Sequence, residues 1–218
     1  MTKNHLEKIK CPKCEHEDDM TVWESVNTDD NPEMKELVRN QQAFIYHCPE
    51  CGKDSVVFYP MFYHEPKKGF LINFVPEYSN AAISFMKDLS HDPYDEKLPL
   101  ESNCQKRVVF NINQLHEKLL ILDEGLDDRA VELTKLFIIA EIMNKDREHK
   151  IEEIYLNKEK DGSLKFAVLF NNNEWGRTEF IRSNYDLIVD KFKVELLSSD
   201  EVRINTQWAM DIMNKKIK

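Results

Sequence analysis

Four of the five cysteines of this chain lie in two matching short motifs, CPKC at residues 11–14 and CPECG at residues 48–52. Each C-x-x-C turn can present two thiolates from one tight loop. A tetrahedral zinc ion needs four ligands, with sulfur at about 2.3 Å. Two such turns therefore predict one metal centre, and its expected ligands are Cys11, Cys14, Cys48 and Cys51.

Redox chemistry is the main alternative for any C-x-x-C motif. It usually involves a single pair that opens a helix, and no helical pattern follows either pair here. Two pairs together favour a structural metal. Four sulfurs can hold iron as well as zinc, since both accept tetrahedral S₄ geometry. We expect structural zinc and keep iron as the alternative.

The residues around the cysteines predict the shape of each turn, called a knuckle below. Pro12 and Pro49 fix φ directly after the first cysteine of each pair. Gly52 follows Cys51, where a left-handed residue lets the backbone curl around the sulfurs. Glu15 holds the matching place after Cys14, and a left-handed glutamate costs roughly 1–2 kcal/mol. We therefore expect the first knuckle to be the less favourable one.

No catalytic constellation is found in the sequence. The five glycines are scattered, which excludes a phosphate-binding loop, and HEKLL at 116–120 lacks the second histidine of a zincin helix. His64 and Glu65 are neighbours on a predicted strand, so their side chains should point to opposite faces. We predict no catalytic residue. His16 and His47 flank the knuckles and are expected to be structural neighbours, and Cys104 is expected to be a partly buried free thiol.

Charge and hydropathy limit the classes of partner. A net charge of −10 argues against a general nucleic-acid binder, which needs surplus Lys and Arg against phosphate. No apolar run reaches the ~20 residues of a membrane span, and the first residues lack the apolar core of a signal peptide. We expect a cytoplasmic protein. In a reducing compartment, paired cysteines are metal ligands more often than disulfides.

The stretch between the two cysteine pairs is longer than the ~15–20 residues of compact zinc sites, so it should contain structure of its own. We predict a strand at 20–28, a helix capped by Asn31 that ends near Arg39, and a strand at 43–47. An antiparallel hairpin around Gly69 should extend the same sheet. The predicted fold class is α+β, with an elaborated zinc-ribbon-like antiparallel β domain that contains an inserted helix.

Taken together, the two C-P-x-C motifs, the segment MFYHEPKKGFLINFVPE at 61–77 and the segment at 106–128 resemble the CpXC family of prokaryotic proteins. The resemblance covers roughly residues 9–128, and the cysteine pairs are its most specific part. It implies a metal-binding domain with the four paired cysteines as ligands. The family has no assigned function, so the resemblance supplies no catalytic residue and no substrate.

The rest of the chain predicts helices followed by a small α+β unit. One helix should begin at Asn111 and end at Gly125, and a second, apolar helix should run from 127 to 144. A hairpin is expected around Asp161-Gly162. A strand at 178–182, a helix after a capping box formed by Ser183 and Asp186, and a helix at 206–215 follow. The predicted domains are 1–128 and 129–218.

Two classes of function remain open after this reading. The first is a non-enzymatic module that binds a protein partner of unknown identity, with a homodimer through the apolar helix from Leu133 to Met143 as one form. The alternative is an enzyme with a site in the cleft between the ribbon and the C-terminal unit. A weakly nucleic-acid-binding ribbon is a third and less favoured reading.

Overall fold

The computed structural model describes residues 1–145 and 148–217, which form a mixed α+β structure. The chain divides into two compact units, Met1–Ile112 and Asn113–Lys218. The predicted domain division, 1–128 and 129–218, stays a prediction. Within the described ranges, no helix combines the length and apolar content needed to cross a lipid bilayer.

The first unit is built mainly from strands, with two helices in its connections. Its elements in chain order are β1 (Lys3–Lys10), β2 (Glu17–Asn27), α1 (Met34–Arg39), β3 (Ile45–His47), β4 (Asp54–Val56), β5 (Met61–Glu65), β6 (Phe70–Phe74), α2 (Asn80–Asp88), β7 (His91–Asp92), β8 (Asp95–Pro99) and β9 (Gln105–Val109).

Five of these strands form the main sheet, in the order β1-β2-β5-β6-β9. The prediction of an antiparallel domain is wrong, because β2 pairs with β5 and β6 pairs with β9 in parallel. Parallel neighbours need a crossover connection. The first crossover carries α1 and the separate β3–β4 hairpin, and the second carries α2. The β3–β4 pair is a two-stranded sheet of its own.

Burial along the strands follows their places in the sheet. All five residues of β6 are buried, as expected for a strand with neighbours on both sides. The edge strand β1 is almost wholly exposed, and its charged side chains protect it from pairing with other chains. The predicted β5–β6 hairpin is confirmed, with Gly69 left-handed at φ 58°.

The predicted helix after residue 31 is present, but its cap differs. The N-cap residue of α1 is Glu33, and it makes no side-chain capping bond. Asn31 was the predicted cap. Its side chain donates a hydrogen bond to the Glu33 carboxylate at 2.7 Å.

The second unit consists of helices around a small sheet. Its elements are α3 (Ile112–Asp123, which starts at the last residue of the first unit), α4 (Asp128–Lys145), β10 (Ile151–Lys158), β11 (Leu164–Phe170), β12 (Trp175–Glu179), α5 (Arg182–Lys191), α6 (Lys193–Ser198) and α7 (Thr206–Ile217). The sheet is antiparallel in the order β10-β11-β12.

Most elements of the second unit agree with the sequence-based prediction. Gly125 ends α3 at φ 65°, with Leu126 N–H bonded to the Ile121 carbonyl at 3.0 Å as in a Schellman motif. Gly162 turns the β10–β11 hairpin at φ 86°. Strand β11 contributes to the core of this unit, since Phe166 and Val168 are buried in it.

The prediction is wrong between residues 175 and 186. The third strand lies at Trp175–Glu179 rather than 178–182, since its pairing places Trp175 opposite Leu169. Helix α5 begins at Arg182, and Ile181 at its N-cap makes no side-chain capping bond. The capping box of Ser183 and Asp186 is therefore absent. Asp186 instead accepts a hydrogen bond from Arg182 Nε at 2.9 Å.

A buried network of charges, which was not predicted, lies within the second unit. Five charged side chains are at least 95 % buried: Glu117, Lys118, Asp128, Glu132 and Lys135. Lys135 Nζ lies 2.7 Å from Glu117 and 2.9 Å from Glu132, and Lys118 Nζ lies 2.8 Å from Asp128. Burial raises the pKa of the Glu117 carboxyl. One Glu117 oxygen also accepts the backbone N–H of Leu156.

Candidate metal centre

The first knuckle closes the β1–β2 hairpin. Lys10 and Glu17 are the last paired residues of the two strands, and the chain between them carries Cys11 and Cys14. Cys11 N–H donates to the His16 carbonyl at 2.8 Å, and Glu15 N–H donates to the Cys11 carbonyl at 3.0 Å. These two bonds hold the turn in a fixed shape.

The second knuckle closes the β3–β4 hairpin with the same pair of bonds. Cys48 N–H donates to the Lys53 carbonyl at 3.0 Å, and Gly52 N–H donates to the Cys48 carbonyl at 2.9 Å. His47 and Asp54 are the last paired residues of the strands. The near repeat in sequence is therefore a repeat in backbone structure.

The left-handed position after each pair is confirmed. Gly52 has φ 64°, and Glu15 has φ 62° at the matching place. Glycine adopts this conformation without strain, whereas a side chain does not. The first knuckle thus carries a local strain that the second lacks. The Glu15 carboxylate lies 3.1 Å from Lys10 Nζ in an exposed ion pair, which contributes little stability.

The two knuckles bring the four cysteine sulfurs into one cluster. Cys11 Sγ lies 3.7 Å from Cys51 Sγ, and Cys14 Sγ lies 3.6 Å from Cys48 Sγ. All four sulfurs lie within 4.8 Å of one another. Sulfurs at about 2.3 Å from a tetrahedral ion are about 3.8 Å apart, so the spacing fits such an ion. It is much too long for disulfide bonds of about 2.05 Å.

The sulfurs differ in exposure. Cys11 and Cys48, the first cysteine of each pair, are buried, whereas Cys14 and Cys51 reach the surface. Each cross-knuckle contact joins one buried sulfur to one at the surface. Every member of the cluster is a cysteine, and no histidine of the described residues joins it. This agrees with the expectation that His16 and His47 are neighbours; His47 Nδ1 lies 2.7 Å from Asp54 Oδ1.

The backbone of the knuckles favours ionised sulfur. The N–H groups of Cys14 and Lys13, directed at the Cys11 sulfur, lower the pKa of that thiol to about 6 despite its burial. Burial also opposes ionisation of Cys48, but the N–H groups of Cys51 and Glu50 outweigh it and lower the pKa of the thiol. The backbone of both knuckles thus favours the ionised form of the first cysteine of each pair.

The pKa of the Cys14 thiol is raised to about 12. The N–H group of His16 acts in the opposite direction, but burial and the other three sulfurs outweigh it. Like charges this close cannot all ionise without a cation between them. A divalent metal supplies that charge, and coordinated thiols are then deprotonated. The donor set therefore fits a thiophilic metal ion.

One polar side chain beside the cluster was missed in the sequence. Tyr46 of β3 is buried, and its hydroxyl forms no hydrogen bond with any described residue. Burial raises the pKa of the Tyr46 phenol to about 12, and the neighbouring Cys48 sulfur contributes in the same direction. Its position two residues before Cys48 is the signal that could have identified it, since alternate residues of a strand share a face.

The side chains of His64, Glu65 and Cys104 have different interaction partners. Glu65 accepts hydrogen bonds from Arg39 at 2.6 Å and from Tyr63 at 2.8 Å, whereas His64 Nδ1 lies 4.0 Å from Asp92. The expectation that His64 and Glu65 form no common site agrees with this arrangement. Cys104 is a free, partly buried thiol as expected, and burial raises its pKa to about 11.

Comparison with known proteins supplies one match. The model of a family described as CpXC protein matches residues 9–135, which is more than half of the chain. The match includes both knuckles and confirms the resemblance stated from the sequence. No curated protein and no solved structure matches the chain at a significant level. The chain belongs to the CpXC family.

Proposed function

We propose that Cys11, Cys14, Cys48 and Cys51 bind one structural zinc ion, which ties the β1–β2 hairpin to the β3–β4 hairpin in a zinc-ribbon-like arrangement. The observation that carries this proposal is the cluster of four sulfurs within 4.8 Å of one another. Four protein ligands fill a tetrahedral shell, whereas catalytic zinc keeps an open position for water or substrate. A closed site supports a structural role for the metal.

Replacement of one ligand tests this assignment. Cys48→Ser leaves an incomplete set of thiolates, so the variant should lose the metal and the first unit should lose stability. Cys104→Ser is the matched control, because Cys104 lies outside the cluster and should leave metal content unchanged. Atomic emission measures the metal in each purified protein. Full metal retention by Cys48→Ser would mean that the ligand set is different.

The metal-tied protein acts, in this proposal, as a non-enzymatic module that binds another protein in the cytoplasm. A reducing compartment suits a cluster of four free thiols. The surface around the knuckles carries Lys13 and Lys53 against a larger set of acids: Glu15, Glu17, Asp18, Asp19, Glu50 and Asp54. Four thiolates around a divalent ion add further negative charge. This balance disfavours phosphate binding, which depends on Lys and Arg.

An apolar groove in the second unit supports a protein partner. Its volume is about 310 Å³, and residues of α4, β12 and α5 line it. Phe137, Ile181 and Leu187 in its lining are each about half exposed. The rim carries both negative and positive side chains: Glu141 and Glu179 are acidic, and Lys191 is basic. Such a rim can complement itself across a two-fold axis, which favours a second copy of this chain as the occupant.

The exposure of the side chains on α4 favours a different part of the helix for the proposed dimer contact than the stretch that begins at Leu133. Leu133 is fully buried within its own unit and is not available to a partner. Phe137 and Met143, further along the helix, are 49 % and 50 % exposed. We therefore propose that the contact uses the C-terminal half of the helix.

Sedimentation tests the partner and its contact. The wild-type chain should sediment as a dimer at micromolar concentration, and Phe137→Glu should return it to a monomer. Val194→Glu is the matched control, because Val194 is also exposed in the second unit but does not line the groove. A monomeric wild type would contradict the homodimer. DNA or RNA binding that weakens steeply with salt would contradict the protein-binding role.

A further inference from the structure

Tyr46 has a polar group that the fold of the first unit leaves without a partner. The residue is 2 % exposed, and its hydroxyl forms no hydrogen bond with any described residue. Burial of a hydroxyl without an acceptor is unfavourable, and native proteins nearly always avoid it. The hydroxyl of Tyr59, which is also buried in this unit, donates to the Ala43 carbonyl at 2.6 Å. An acceptor for Tyr46 must therefore be sought in its surroundings.

The Cys48 sulfur is the candidate acceptor, because Cys48 follows Tyr46 by two residues and its sulfur is among the groups that raise the pKa of the Tyr46 phenol. Tyr46 is the middle residue of β3 (Ile45–His47), and Cys48 directly follows this strand. A thiolate that binds a metal still carries charge and lone pairs, and charged acceptors make the stronger hydrogen bonds. The matching residue of the first knuckle, two before Cys11, is Ile9 and has no donor. The second knuckle thus has a neighbouring hydroxyl that the first lacks.

We propose that Tyr46 is a positioning residue of the metal centre, and that its hydroxyl donates a hydrogen bond to the Cys48 thiolate when the metal is bound. The inference rests on the proposed metal site. The Cys48 sulfur would then receive the phenol O–H in addition to the backbone N–H groups of Glu50 and Cys51. This bond withdraws charge from one of four clustered thiolates, which stabilises the loaded state, and it satisfies the buried hydroxyl.

Cobalt titration of the reduced, metal-free chain tests this inference, because Co²⁺ reports its thiolate ligands by charge-transfer absorption. Tyr46→Phe removes only the hydroxyl. Loss of a donor makes the Cys48 thiolate more electron-rich, so the sulfur-to-cobalt band should move to lower energy. The affinity for Co²⁺ should fall about 10-fold, the lower end of the effect of residues that contact metal ligands.

Tyr59→Phe is the matched control. It removes a buried hydroxyl from the same unit, but that hydroxyl bonds to the Ala43 carbonyl, so the variant should lose stability with no change of the cobalt band. Wild-type spectrum and affinity in a folded Tyr46→Phe variant would overturn the inference and leave the metal site intact. A wild-type chain that binds no Co²⁺ through thiolates would overturn the proposed function, and the inference with it.

Discussion

Glu15 and Gly52 show how one residue type changes the energy of a repeated turn. The two residues occupy the same place in the knuckles, and both are left-handed, at φ 62° and 64°. Nothing lies within 4 Å of a Cβ atom built on Gly52. The difference between the two positions is therefore one of backbone strain and does not involve contacts.

Glu15→Gly should stabilise the metal-loaded protein by about 1 kcal/mol, since it removes the penalty of a left-handed side chain. Gly52→Ala should destabilise it by a similar amount. Chemical unfolding in the presence of excess metal measures both changes. Lys10→Gln is the control for the exposed Lys10–Glu15 pair and should change stability by less than about 0.5 kcal/mol. A destabilised Glu15→Gly variant would show that the side chain has a role that the backbone argument misses.

The residue scale is where the sequence was most informative. The four cysteines, the left-handed place after each pair and the separation of His64 from Glu65 all follow from local spacing, and local spacing is read directly from a sequence. Tyr46 was missed because a tyrosine on a short strand usually signals a core position. Its place two residues before Cys48 is the sequence signal that could have pointed to the metal centre.

Helices α3 and α4 are held together by a buried set of charges, with three carboxylates and two ammonium groups. Lys135 contacts both Glu117 and Glu132, each of which is also buried. These two carboxylates attract the ammonium group more strongly than burial disfavours it, and the pKa of Lys135 is raised. Removal of the lysine leaves two buried acids poorly compensated.

Lys135→Met should destabilise the protein by about 3–5 kcal/mol, because an ion of a buried pair is left without its partner. Lys145→Met is the matched control on the same helix: Lys145 forms an exposed pair with Glu141, so its loss should cost under about 1 kcal/mol. Urea unfolding at neutral pH measures both variants. Equal effects of the two substitutions would contradict a buried role for Lys135.

The free energy of unfolding of the Lys135→Met variant should depend on pH. The pKa of the Glu117 carboxyl is raised in the folded state. The contribution of Glu117 to the free energy of unfolding should therefore be greatest at acid pH, where the carboxyl is protonated in both states. It should fall as the pH rises above about 4.3, the usual value of an unfolded glutamate. Addition of Glu117→Gln, which keeps an acceptor for Leu156 N–H, should restore part of the lost stability and flatten this dependence.

At the scale of elements, the sequence predicted features that depend on near neighbours. The β5–β6 and β10–β11 hairpins and the Gly125 helix end were all confirmed. The parallel pairing of β2 with β5 and of β6 with β9 was missed, because each pairing depends on a long connection that no local pattern reports. The capping box at Ser183 is absent because α5 already begins at Arg182, and Asp186 accepts a hydrogen bond from Arg182 instead. The buried charges were not predicted from the sequence.

Metal binding should stabilise the two compact units unequally. The four cysteines all belong to Met1–Ile112, and the β10–β11 hairpin belongs to Asn113–Lys218. Chelation should therefore reduce hydrogen-exchange protection before about residue 125 more than around Asp161-Gly162. Peptide-resolved hydrogen exchange, with and without chelator, measures the difference. Uniform loss of protection along the chain would show that it folds as one cooperative body.

The mass of the intact chain tests most directly whether four thiolates hold one metal. Protein purified under reducing conditions without added metal should have a native mass that exceeds its denatured, metal-free mass by one zinc ion less the protons that the ion replaces. Cys104 should remain a thiol in both states. A native mass without metal, lowered by the four hydrogens that two disulfides remove, would contradict the account.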